Sequence, residues 1–314
     1  MKLSIILTIF NKEPYLRRAI ETLIFQKGIC TDDYEIVAVD DGSTDGSPRI
    51  LDEYKNENDN LRVITQANQG LSIARNNGAD AAKGDYVWFV DADDIISDDA
   101  VSTICKAIES KPDVIPIYAS TEGINRVRNT ISPLNITGQD ILIERKWEDC
   151  GVFYILKHSF IKDNGLKFVP GIFHEDAEFT PRMLYKASSV HVIPQVLYTV
   201  IRTPGSITNV PNPKRAYDLL SVATGNFELV EKERLWNSKV GHSLCYHGAA
   251  SITNALHVII QQEDKEKKLF NKAFFERRKL IRLFFNSQTM RYVLMGVLLC
   301  LFPRRIVNIY CLLK

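Results

Sequence analysis

Five short apolar runs, at residues 3–8, 35–39, 61–65, 85–90 and 113–118, alternate with stretches of helical periodicity through the first 120 residues. That alternation is the strongest constraint on the fold. A strand, a crossover helix and a second strand give parallel neighbours with helices on both faces of the sheet. The helical stretches carry signals of their own. Pro14 suits a first helical turn, and Leu16, Ala19, Ile20 and Leu23 share a face. Ser47 is placed to cap a helix through Tyr54, and residues 70–82 and 100–109 read as two further helices. Sheets of this kind bind ligands outside the carboxyl ends of their strands. Asn11, Asp41 and the acids Asp91, Asp93 and Asp94 all fall at such ends.

The acids are the most informative group. Tyr86, Val87, Trp88, Phe89 and Val90 form a buried-strand pattern that ends in Asp91, Ala92, Asp93 and Asp94. Carboxylates crowded there repel one another and cost desolvation energy unless something positive compensates them. A hard cation, Mg²⁺ or Mn²⁺, shared with a phosphate ester is the natural compensator. The competing reading is a helix N-cap cluster, since Asp98 and Asp99 follow.

Four other groups are candidates. Asp40, Asp41, Gly42 and Ser43 close the second strand, where a carboxylate can accept a uracil imide N–H; a plain turn is the alternative. Arg75, one turn into a helix, can pair with a diphosphate or hold Asp91 in place. His174, Glu175 and Asp176 lie between Phe173 and Phe179, so a desolvated acid there is a candidate general base. A helix N-terminus that simply carries acids is the bland version. Arg202 to Ser206 join an arginine, a Gly turn and a hydroxyl that together can clamp a phosphate.

These motifs come in a family order. Ser4 to Thr8 with Asn11, Val39 to Asp45, Asn68 to Asn76, Phe89 to Asp94, and Glu175-Asp176 together resemble the family 2 glycosyltransferases of the GT-A fold. The match is specific over roughly residues 1–120 and weak beyond about residue 210. Thr8-Ile9-Phe10-Asn11 departs from the commoner Pro-x-Tyr-Asn form. The resemblance implies an α/β, Rossmann-like, mainly parallel sheet with helices on both faces, plus a C-terminal helical region. The expected division is a transferase domain over residues 1–215 and a basic helical region over 216–314.

The resemblance further implies an inverting transferase using a nucleotide-sugar, UDP-sugar favoured, with Mg²⁺ or Mn²⁺. Donor-binding positions would be Thr8, Asn11, Glu13, Asp41, Arg75, Asp91, Ala92 and Asp93, with the metal on Asp93 and Asp91. Asp176 would be the catalytic base. Asp94, Glu175, His174, Arg202 and Ser206 are accessory candidates. A sugar nucleotidyltransferase is less suited, because no glycine-rich basic loop follows the first strand. A non-catalytic nucleotide-sugar or lipid-binding module is the alternative from another class.

Charge is unevenly spread. Residues 265–314 hold 12 Lys and Arg against two Asp and Glu, leaving 27 against 36 in residues 1–264. The apolar stretch at 292–302 is too short to span a bilayer, which takes about 20 residues. Phe270, Phe274, Ile281 and Phe284 are expected to share one face of an amphipathic helix over 270–285, with basic neighbours suited to an anionic membrane. A tail packed on the body is the alternative. The acceptor expected from this is a saccharide or lipid-linked saccharide in cell-surface polysaccharide assembly. Nucleic acid is not an expected partner, since no recognised motif accompanies the charge. Six scattered cysteines read as free thiols in a reducing compartment, and residues 3–8 as a strand rather than a signal peptide. The expected place is therefore the cytoplasm, peripheral on the cytoplasmic face of the inner membrane.

Overall fold

The computed structural model describes residues 1–132, 136–203, 212–302 and 304–313. Two compact units emerge. The first comprises Met1–Gly171 with Met183–Pro204, and the second comprises Ile172–Arg182 with Gly205–Lys314.

In the first unit the expected alternation appears as β1 (Leu3–Ile9), α1 (Glu13–Ile24), β2 (Tyr34–Asp40), α2 (Ser47–Glu57), β3 (Leu61–Thr65), α3 (Leu71–Ala81) and β4 (Tyr86–Asp91). These strands lie side by side in the order β3-β2-β1-β4, all parallel. β1 is buried along its whole length, as a central strand covered on both faces must be. The Tyr34 hydroxyl donates to the Leu23 and Ile24 carbonyls of α1, whereas α3 approaches Val39. Residues 34 and 39 point to opposite faces of β2, so α1 and α3 cover opposite sides of the sheet.

Beyond β4 the sheet turns mixed, as antiparallel strands extend its parallel half. The chain continues through β5 (Ile95–Ile96), α4 (Ala100–Ile108), β6 (Val114–Thr121), β7 (Ile124–Arg128), α5 (Gly138–Glu144), β8 (Tyr154–Lys157) and α6 (His158–Asp163). β9 (Ile193–Val200) completes it, and of α7 (Glu175–Lys186) only the end from Met183 belongs to this unit. β8 runs antiparallel between β4 and β6, and β9 pairs parallel with β6 and antiparallel with β5. β8 spans four residues, too few to display a readable period, and this hid its direction from the sequence. Ser47 also differs from expectation. Gly46 occupies the cap position of α2, and the Ser47 hydroxyl instead accepts from the Lys12 backbone N–H at 3.0 Å.

The second unit is helical: α8 (Lys214–Lys232), α9 (Lys239–Ile259), α10 (Asp264–Glu276), α11 (Ile281–Asn286), α12 (Met290–Leu301) and α13 (Ile306–Leu313). The single amphipathic helix expected over 270–285 is broken by a 3₁₀ turn at Arg278–Leu280. Leu280, Ile281, Leu283 and Phe284 are all buried. Phe270 and Phe274 are buried as well, so the aromatic residues expected to face a membrane serve the core of this unit.

α3 approaches the sheet at Gly78, where an added Cβ would lie 2.2 Å from Ile6 Cγ2 and 3.1 Å from Val39 Cγ2. In an open helix Gly→Ala stabilises by up to ~1 kcal/mol. Here the overpacking outweighs that gain, and Gly78→Ala is expected to destabilise by about 1–2 kcal/mol in urea unfolding. A more stable variant would contradict this packing.

Candidate functional site

The carboxyl ends of β1, β2 and β4 converge because Thr8 pairs in register with both Val39 and Asp91. Thr8 is buried and its hydroxyl has no hydrogen-bond partner. A buried hydroxyl left unsatisfied costs stability, and a ligand group at this edge would satisfy it.

Asp41 closes β2. Its Oδ1 accepts from Gln66 Nε2 (2.7 Å) and the Gln69 N–H (2.8 Å), and its Oδ2 from the Gly70 N–H (2.8 Å). A carboxylate offers about four acceptor sites, so roughly one remains. Asp41 therefore shapes the 66–70 loop while keeping capacity for one more donor. Gly42 has φ +75°, and a Cβ there would fall 2.8 Å from the Asn68 nitrogen, so only glycine fits. Asn11 and Glu13 hold the facing loop. The Thr44 N–H donates to Asn11 Oδ1 (2.8 Å), and the Gly46 N–H to Glu13 Oε2 (2.9 Å).

At the end of β4, Asp91 and Asp93 flank the buried Ala92, and the Asp94 N–H closes a turn onto the Asp91 carbonyl at 3.1 Å. Arg75 reaches this turn from α3. It is 1% exposed, its guanidinium lies 5.1 Å from the Phe168 ring centre, and Nη2 donates to Asp91 Oδ1 at 3.0 Å. Arg75 thus holds Asp91 in place. Asp93 pairs with the Lys12 ammonium and accepts from Thr203 Oγ1 at 3.3 Å.

Asp94 faces inward. It accepts from the Tyr198 hydroxyl and from the Ile201 N–H, both at 2.7 Å. The Asp91 N–H in turn donates to the Tyr198 oxygen at 3.2 Å. Burial, and then the neighbouring Asp91 charge, push the Asp94 carboxyl up to about 7 against the pull of those hydrogen bonds. Arg202 is exposed between Ile201 and Thr203, the two residues that this turn holds. Ser206 lies outside the described residues.

Glu35, at the opposite end of β2, shows how the fold treats a structural acid. It is 4% exposed and bonded to Ser4 Oγ, the Lys83 N–H and Arg62. The Asp91 side chain, by contrast, keeps 33% of its surface open.

In the second unit, Glu175 and Asp176 lie in the first turn of α7, as an acid-bearing helix start would place them. Glu175 is buried and Asp176 half-buried, and Phe179 is buried below them. The Phe173 N–H donates to Asp218 Oδ2 at 2.9 Å, which anchors the residues just before His174.

Tyr198, Lys12, Gln66 and Thr203 were not singled out in the sequence. Tyr198 meets Asp91 and Asp94 across more than 100 residues, and nothing local in residues 193–200 marks it. Lys12 lies three residues past the end of β1, directly after Asn11.

Among the described residues no three His, Cys, Asp or Glu side chains converge as a ready-made metal cage. Two carboxylates at a partly open edge instead fit the mode in which Mg²⁺ or Mn²⁺ takes one or two acids and completes its shell with substrate phosphates.

The profile of Glycosyl transferase family 2 matches residues 4–163. The chain belongs to that family. An uncharacterized glycosyltransferase of Escherichia coli (strain K12), YibD, is 32% identical over 213 residues, 63% of this chain and 60% of that protein. A poly(ribitol-phosphate) beta-glucosyltransferase of Bacillus spizizenii is 33% identical over 198 residues, 61% of this chain and 31% of that one. The matches thus span less than two thirds of these relatives. The crystal structure of S. aureus TarS 1–349 in complex with UDP-GlcNAc superposes with a TM-score of 0.80 at 21% identity, covering 100% of this chain and 90% of that one. The family 2 chain therefore has the GT-A fold, with C-terminal helices in addition.

The raised Asp94 pKa has a measurable consequence. The folded family 2 chain keeps this proton between about pH 4 and about 7, where the unfolded chain has lost it. That stabilisation is present at low pH and is lost as pH rises through about 7. In EDTA, the urea midpoint is expected to fall from pH 5 to pH 8 by more in the wild type than in Asp94→Asn. Equal slopes would contradict the buried, proton-holding Asp94.

Proposed function

We propose that this family 2 chain is an inverting glycosyltransferase that moves a sugar from a UDP-sugar to an acceptor hydroxyl in cell-surface polysaccharide assembly. The observation that carries the reading is the open edge formed by Thr8, Asp41, Asp91 and Asp93. It holds an unsatisfied hydroxyl, a carboxylate with one acceptor site to spare and two partly accessible acids, with Arg75 fixing Asp91. The UDP-GlcNAc in the TarS complex supports the choice of donor.

Thr8 and Asp41 receive the nucleobase end, and Asp91 and Asp93 the ribose and diphosphate. Asp93 and Asp91 would hold Mg²⁺ or Mn²⁺, and the bound ion would supply neutralisation of the charge on the departing UDP. Lys12 and the exposed Arg202 add fixed positive charge for the same anion.

Asp176 takes the proton of the acceptor hydroxyl as its oxygen attacks the anomeric carbon. The anomeric C–O bond to the diphosphate breaks in the same step and its electron pair leaves with UDP. One in-line displacement inverts the anomeric centre and needs no covalent nucleophile. His174 and Glu175 flank the base. Residues 1–215 carry this chemistry, and residues 216–314 bring the chain to an anionic membrane surface on the cytoplasmic side, where a lipid-linked saccharide is the acceptor.

Asp176→Asn is expected to lower UDP release from UDP-GlcNAc in the presence of acceptor by about 10²–10⁴-fold, the usual worth of a positioned base. Binding of UDP to that variant stays unchanged. Turnover that survives the substitution removes Asp176 from the role.

A further inference from the structure

No helix among the described residues is long and apolar enough to cross a membrane, and the aromatic residues of α10 and α11 are buried. α12 is different. Met290, Leu294, Val297 and Leu301 recur at spacings of four, three and four residues, which groups them within about 60° around the helix. They are 73%, 56%, 45% and 65% exposed, while Met295 and Leu299 on the other side anchor α12 to its unit. Phe302, just past the end of α12, and Phe285, whose ring lies beside Gly296, are exposed as well. Single exposed leucines need no explanation, but a continuous stripe does.

Charge identifies what covers it. From residue 277 to residue 314 the chain has eight Lys and Arg and no Asp or Glu. Arg277, Arg278, Arg291, Arg304 and Arg305 are exposed. Just past α12, Phe275, Phe302, Arg304 and Arg305 line an open cavity of about 360 Å³. The Arg304 and Arg278 guanidinium groups lie 4.7 Å and 5.3 Å from the Phe275 ring centre. A second copy of the chain would bring two strongly basic surfaces together, which repel. A bilayer with anionic headgroups supplies apolar depth for the stripe and negative charge for its flanks at once.

We infer that α12 lies in the plane of an anionic membrane, with Met290, Leu294, Val297 and Leu301 at the acyl boundary and Arg304 and Arg305 on lipid phosphates. The inference rests on the proposed membrane-side acceptor and names the surface that reaches it. At ~18 Å, twelve helical residues suit lying on a bilayer and fall short of spanning one.

The test is co-sedimentation of the full chain with vesicles of phosphatidylcholine alone and of equal parts phosphatidylcholine and phosphatidylglycerol. Binding is expected only to the anionic vesicles. Leu294→Asp with Leu301→Asp, at exposed positions, should abolish it while the urea midpoint stays that of the wild type. Arg304→Ala with Arg305→Ala should weaken it roughly five-fold per arginine. Leu294→Trp should show indole emission quenched by brominated acyl chains. Absence of wild-type binding, or binding indifferent to the two aspartates, overturns the inference. A wild-type dimer that the aspartates dissociate, without lipid binding, assigns the stripe to a second copy and overturns it too. Calorimetric binding of UDP is measured on the same samples. Lipid binding without UDP binding sinks the donor reading alone, and UDP binding without lipid binding sinks the membrane surface alone.

Discussion

The first unit depends on keeping three carboxylates within four residues at the end of a buried strand. Without compensation Asp91, Asp93 and Asp94 would repel one another in surroundings of low polarity. Each is handled differently. Asp91 takes the buried Arg75, Asp93 takes Lys12 and Thr203, and Asp94 takes the Tyr198 hydroxyl and the Ile201 N–H. The compensators come from α3, the β1–α1 loop, β9 and the segment after it. The turn is thus a junction that ties the ends of the first unit's sequence together. Two of its three acids keep accessible surface, and that separates it from a purely structural cluster such as the one around Glu35.

Much of this was legible in the sequence, for an identifiable reason. The parallel half of the sheet announces itself because each strand is a run of apolar residues bounded by turn chemistry, and each helix has its own periodicity. Asp91 stands out because an acid after Trp88, Phe89 and Val90 contradicts its surroundings. What stayed hidden depends on distant contacts. Tyr198 carries no local mark, and its function exists only once β9 has been brought beside β4's end through β6 and β8. The antiparallel β8 is too short to reveal its direction. Asp41 was legible as a carboxylate at the end of the second strand, but its three bonds to the 66–70 loop were not.

The helical region shows the opposite limit. Phe270, Phe274 and Phe284 have the spacing of a membrane-facing stripe, and the structure uses them as core. Periodicity reports that a face is apolar and leaves open what covers it. α12, whose residues read only as an apolar run too short to span, presents the exposed stripe instead. A continuous apolar run conceals which side is outward until the buried anchors Met295 and Leu299 are known.

The central claim is that the acids at the carboxyl edge of β4 receive a metal-bound nucleoside diphosphate. Calorimetric titration of UDP, GDP and dTDP in Mn²⁺ and then in EDTA tests it most directly. The account predicts binding of UDP alone, dependent on Mn²⁺ and lost in Asp93→Asn. Binding that persists in EDTA or in Asp93→Asn, or no nucleotide binding at all, would contradict it.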